Sequence, residues 1–142
     1  MAVVWLISFV IAGKVMFSAQ GAMYLANSFV FTLCALTMAF LISSIFNNKE
    51  AVNGIVNVVA LGSAFLCGAF IPVEWLPDGV LAVGRIFPAY WYIQTNEYLK
   101  TLETVSVSGL KPVFLNMLVM ALYGVFYIIV ANIVSAKKRV VA

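Results

Sequence analysis

Histidine is absent from this sequence, and charge of either sign is scarce. Eight basic and five acidic residues make up 9% of the 142 positions, against roughly 25% in an ordinary soluble domain. The lack of histidine removes the commonest general base, the commonest metal ligand and the Ser-His and Cys-His nucleophile pairs. Only two cysteines occur, Cys34 and Cys67, and there is no CxxC, which excludes zinc and thioredoxin-type chemistry. Each lies inside a long apolar run. Their depths differ by roughly 10 Å at about 1.5 Å per helical residue, which disfavours a disulfide, and both read as small buried apolar residues. No G-x-x-x-x-G-K-[ST] is present, so the chain does not bind and hydrolyse ATP in the P-loop manner. The net charge of +3 rests on eight basic residues that form no basic face, which excludes nucleic-acid binding.

What fills the sequence is apolar: 65% of it, with a mean hydropathy of +1.10. A soluble domain of this size has too much surface to hide so many apolar side chains. Composition therefore points to an all-α integral membrane protein, a single membrane domain over residues 1–142 with the lipid bilayer as its solvent. Charges divide the sequence. None lies between Lys14 and Lys49, between Glu50 and Glu74, or between Lys111 and Lys137. Spanning helices are expected at about 22–46, 51–73 and 112–136, each about 35–37 Å long against a hydrocarbon core of about 30 Å. The apolar stretch 1–13 reaches only about 18 Å and lacks the basic start of a signal peptide, so it reads as a partial helix. That stretch makes the chain look like a C-terminal portion of something longer.

Residues 74–111 differ from the rest. They hold seven of the thirteen charges and the aromatic residues Trp75, Tyr90, Trp91, Tyr92 and Tyr98, with Pro72, Pro77, Pro88 and Pro112 within or beside them. Prolines punctuate helices and Trp and Tyr favour the headgroup zone, so two short helices, about 78–87 and 90–103, are expected at one membrane face. Asp78 is placed to cap the first. In the second, Trp91, Tyr98 and Leu102 share a face while Glu97, Lys100 and Glu103 face water. Three spans put the Asn47–Glu50 turn and the 136–142 tail on one side and the 74–111 segment on the other. Four basic residues fall on each side, and the dense Lys137-Lys138-Arg139 tail leans towards the cytoplasm.

Within the second span Ala60, Ala64 and Gly68 repeat every four residues, a row that admits a close neighbour, and Asn53 and Asn57 extend the same face. Two readings fit: helix packing, or a stripe facing a pathway or a dimer mate. Thr32, Ala35 or Leu36, Ala39 and Ser43 on the first span, and Asn116, Tyr123, Tyr127 and Gly124 on the third, read as packing surfaces. No charge lies deep in a span, which argues against a proton relay or a voltage sensor. No catalytic residue, metal site or cofactor site is read from the sequence.

The run Phe40–Ala51 resembles the end of the fourth helix and the following cytoplasmic turn of ABC-2 type transporter permeases. Cys67-Gly68-Ala69-Phe70-Ile71-Pro72-Val73-Glu74-Trp75-Leu76-Pro77 resembles that family's SG-x-F-x-P-x-x-x-x-P end of the fifth helix, with Cys67 where serine is usual. Arg85-Ile86-Phe87-Pro88-Ala89-Tyr90 resembles its N-P-x-x-Y element, with Phe87 in place of asparagine. The match runs from about residue 25 onwards. The resemblance implies the C-terminal half of a six-helix permease of an ATP-binding-cassette exporter, a multi-pass protein of the cell membrane and not itself an enzyme. Its implied partners are a second permease copy and a separate ABC ATPase subunit. Asn47, Asn48, Lys49 and Glu50 would form the turn that contacts the ATPase. Asn53, Asn57, Ala60, Ala64 and Gly68 would line the pathway or dimer face. Pro72, Glu74, Trp75, Pro77, Pro88 and Tyr90 would mark an extracellular re-entrant helical hairpin before the last helix. The alternative is a small multi-pass scaffold or assembly subunit without a pathway. An intramembrane enzyme is disfavoured, since histidine and buried acid pairs are both lacking. The substrate is not legible in the sequence.

Overall fold

The computed structural model describes residues 18–71, 73–102 and 109–141; the partial helix expected at 1–13, Pro72 and Glu103 lie outside them. Among the described residues all regular structure is helical: α1 (Ala19–Ile45), α2 (Lys49–Leu66), a 3-10 turn (Val73–Trp75), α3 (Asp78–Gly84), α4 (Pro88–Thr101) and α5 (Lys111–Val141).

The two longest helices frame the molecule. Helix α1 starts where the Ser18 hydroxyl accepts from the Gly21 amide at 3.2 Å. The most apolar 18-residue windows of its 27 residues, and of the 28 of α5 up to Lys138, have mean hydropathies of 2.1 and 2.3. At 1.5 Å per residue both helices exceed a hydrocarbon core of about 30 Å, and both are long and apolar enough to cross one. They lie side by side in the most extensive pairing of the fold. Gly124 of α5 is buried against the Cys34 backbone and the Thr37 side chain of α1. Their outward faces expose Leu25, Phe29, Leu33 and Phe40 on one helix and Leu118, Leu122, Phe126 and Ile133 on the other. Such a belt suits lipid, in which apolar side chains gain nothing by leaving their surroundings.

Helix α2 departs from the expected span 51–73. It ends at Leu66, after 18 residues and about 27 Å. The cause is Gly68, whose φ of 89° lies in the left-handed region that a glycine enters without strain. Around it the Cys67 amide makes the last ordinary helical bond, to the Ser63 carbonyl at 2.9 Å, and the Ala69 amide reaches back to the Ala64 carbonyl at 3.0 Å, the six-to-one bond of a Schellman stop. Gly68 is therefore a helix terminator, not the third member of a small-residue row with Ala60 and Ala64.

The 74–111 stretch forms two short helices, shifted from their expected bounds. Pro88 begins α4 as its first helical residue, where a missing amide hydrogen is harmless. Asp78 does not cap α3. Pro77 occupies the cap position without a side-chain bond, and Asp78 follows it in the first turn, where its charge still suits the helix dipole. On α4 Trp91, Tyr98 and Leu102 do pack inward, against a core of Leu99, Leu110, Val113, Met117 and Met120. Glu97 and Lys100 face outward as an ion pair, and the Glu97 carboxylate raises the Lys100 ammonium above its usual range.

Candidate functional site

One end of the bundle gathers the polar turn between α1 and α2. Asn47 is exposed and its side-chain oxygen accepts from the Lys138 ammonium at 2.8 Å. The same ammonium donates to the Ile45 carbonyl at 2.8 Å, so a cation from α5 occupies the electronegative end of α1. The Asn48 side chain accepts from the Glu50 amide at 2.9 Å and caps α2. Lys49 and Glu50 open α2 and face solvent, Glu50 complementing the helix dipole. The turn and the 137–138 pair thus share one end, as the three-run count requires.

Along α2, Asn53 and Asn57 are exposed, one and two turns beyond Lys49. Ala60, exposed, and Ala64, half-buried, continue that row into a cavity of about 380 Å³. Its walls are Ala35, Met38 and Ala39 of α1, Val56, Val59 and Ser63 of α2, Ala69, and the Phe87–Ala89 start of α4 with Tyr92. Ala35 and Ala39, expected as packing residues, therefore leave space between the helices. Thr32 turns back to the Ser28 carbonyl, and Leu36 points outward. The Tyr123 and Tyr127 rings on α5 lie tilted by 39°, their centroids 6.1 Å apart.

The opposite end holds α3 and α4. Cys67 is fully buried, its thiol 3.6 Å from the Gly84 carbonyl, and both cysteines are free. A methyl on Gly84 would stand 2.6 Å from the Leu66 carbonyl oxygen, so the end of α2 and the end of α3 are in backbone contact. Pro88 and Tyr90 are buried here, whereas Glu74, Trp75 and Pro77 are exposed. Arg85 lies 6.0 Å over the Tyr90 ring, and the Trp91 indole donates to the Arg85 carbonyl at 3.2 Å.

A polar ladder between α1 and α4 has no counterpart in the sequence reading. Gln20 donates to the Leu99 and Leu102 carbonyls, and the Tyr24 hydroxyl to Asn96 O at 3.3 Å. The Asn27 amide donates to Tyr92 O at 3.1 Å and Asn96 Oδ1 at 2.9 Å, and Ser28 pairs with the Tyr92 hydroxyl at 3.3 Å. Phe31 stacks on Tyr92 at 4.5 Å. As the α1 partner advances the α4 partner recedes, so the two helices are antiparallel, and α4 begins level with the middle of α1. Gln20, Tyr24, Asn27 and Ser28 recur at helical spacing in a run without charges, which is the signal that marks them.

The profile of a family described as ABC-2 family transporter protein matches residues 1–133. The chain belongs to this family. As an ABC-2 protein it is a membrane component of an ABC transporter, a class of permease that works with an ABC ATPase and is not itself catalytic. Its two long apolar helices accord with a place in a membrane. Neither a curated protein nor a solved structure matches the chain at a significant level.

Proposed function

We propose that this ABC-2 permease serves an exporter of the cell membrane as a multi-pass subunit, paired with a second copy and driven by ATP hydrolysed on a separate chain. Helices α1 and α5 are full crossings. Helix α2 is the third, rising from the Asn47 surface past the bilayer centre, and α3 and α4 fold back through the remaining depth as a re-entrant hairpin open to the outside. The observation that carries this reading is the uncovered Asn53–Asn57 row on α2, which starts one turn from the Asn47–Glu50 turn and runs into the cavity rim. Carboxamides facing hydrocarbon are costly, so this face meets water or a second copy instead.

The mechanism is alternating access. ATP binding in the partner presses on the Asn47–Glu50 turn, and α2 tilts about its contact with α3 at Gly84. The α2 faces of two subunits then part or close. Lys138 couples α5 to the same movement, because it holds Ile45 and Asn47 together. Cysteines placed singly at Asn53, Asn57, Ala60 and Ala64 test the pathway. In the assembled transporter they react with a water-soluble thiol reagent in a helical period; uniform protection leaves only packing. Replacing Lys49 and Glu50 with alanine tests the coupling and lowers ATPase stimulation and export together. Unchanged values would remove the turn from the mechanism.

A further inference from the structure

The cavity between α1 and α2 has a chemistry of its own. It measures about 380 Å³, within the range of small-molecule sites of roughly 300–1,000 Å³. Its walls offer a ligand almost nothing polar. The Ser63 hydroxyl is engaged with the Ala60 carbonyl at 3.0 Å, and the Tyr92 hydroxyl with Ser28 at 3.3 Å. Among the described residues no charged side chain lines it. A sugar or a peptide would lose hydrogen bonds on moving in from water, whereas a hydrocarbon chain would lose none.

Polarity along α2 is graded. The charged Lys49 and Glu50 come first, then the exposed amides of Asn53 and Asn57 with the first wall residue, Val56, between them, then the cavity wall from Val59 to Ala64. Ala35, Ala60 and Ala69 are the exposed members of the lining, and Ala60 adjoins the asparagine row at helical spacing. A molecule lying along this face meets charge, then amide, then hydrocarbon. That is the order within one leaflet of a bilayer, read from headgroup to midplane.

We infer that the cavity receives the acyl tail of an amphiphile drawn from the leaflet on the Lys49 side, with its polar head held at Asn53 and Asn57. This names a substrate class for the pathway face and rests on the proposed function for its role in transport. The binding itself does not depend on that role.

The test uses the assembled transporter in phosphatidylcholine nanodiscs and a palmitate carrying a diazirine near the end of its chain. After illumination, adducts are mapped by mass spectrometry. Adducts at Met38 and Val59 fall at least tenfold when excess unlabelled palmitate is added, while those at the lipid-facing Phe29 and Leu122 do not. Ala60→Trp fills the space and gives the same loss. Ala60→Val, which leaves most of the space, keeps the labelling and guards against a mere folding defect. Asn53→Leu with Asn57→Leu raises the palmitate needed for competition. Adducts at the wall that fail to compete would overturn the proposal, as would a wall that never labels because protein fills it. Saturable labelling combined with uniformly protected cysteines on α2 would keep the tail site and remove the pathway. The reverse result would keep the pathway and remove the tail site.

Discussion

Two glycines on the seven-residue helix α3 respond oppositely to the same substitution. At Gly84 an added methyl carbon would meet the Leu66 carbonyl oxygen at 2.6 Å and the Tyr90 ring at 3.7 Å. The oxygen belongs to backbone that the Ala69-to-Ala64 and Cys67-to-Ser63 bonds pin in place, so it cannot swing aside as a side-chain tip would. Overpacking of this kind costs about 1–3 kcal/mol. At Gly79 an added methyl meets nothing within 4 Å, and the gain is about 0.4–1 kcal/mol from a less flexible unfolded chain. Gly84→Ala should therefore destabilise the α2–α3 junction and Gly79→Ala should strengthen it slightly. The two buried cysteines provide the assay, since a thiol reagent reaches each only when its surroundings open. Purified protein in detergent is heated with a maleimide, and modification of Cys67 and Cys34 is followed separately by mass spectrometry. Gly84→Ala should expose Cys67 several degrees below the wild-type temperature, with Cys34 shifted less, because only Cys67 sits against Gly84. If Cys67 stays protected to the wild-type temperature in Gly84→Ala, the backbone contact does not hold the junction.

Other substitutions probe the remaining contacts. Asn27→Ala removes two hydrogen bonds to α4 and should cost about 1–2 kcal/mol by reversible unfolding in mixed micelles; combined with Asn96→Ala, a double-mutant cycle should give a coupling of about 0.6 kcal/mol. Lys138→Met should lower stability by only about 0.5–1 kcal/mol, yet raise the mobility of a spin label placed at Asn48, since it frees the end of α1. Gly124→Ala should leave thermal stability within about 1 kcal/mol, because its new methyl sits 3.6 Å from Thr37 in ordinary contact, whereas Gly124→Leu should separate α1 from α5 and lower the unfolding temperature clearly.

The long helices were legible because charge brackets them: nothing ionised interrupts α1, and α5 is free of charge from Pro112 to Ala136. The early end of α2 was not, because Gly68 lies inside an apolar run and continues the spacing of Ala60 and Ala64. Glycine at that position serves equally as a packing residue or as a left-handed stop, and only the Pro72 that follows hints at the stop. The turn Asn47–Glu50 was legible as a connector. That Lys138 braces it was hidden, since a basic tail is expected for topological reasons alone. The partners of Asn27 were hidden for a different reason. They lie 65 and 69 residues away on α4, and a lone amide in an apolar run says that it needs a partner without saying where. The apolar cavity escaped notice because alanines at helical spacing usually signal closure rather than space.

The parallel alliance of α1 with α5 carries a consequence for biogenesis. Parallel neighbours need a return journey between them, and here that journey takes the whole of α2, α3 and α4. During synthesis α4, which satisfies Asn27, is made before the principal companion of α1, and the Cys34–Thr37 flank that receives Gly124 waits for α5. Final assembly therefore waits for the last helix, and a nascent chain halted near Leu110 would present that unsatisfied flank to quality control.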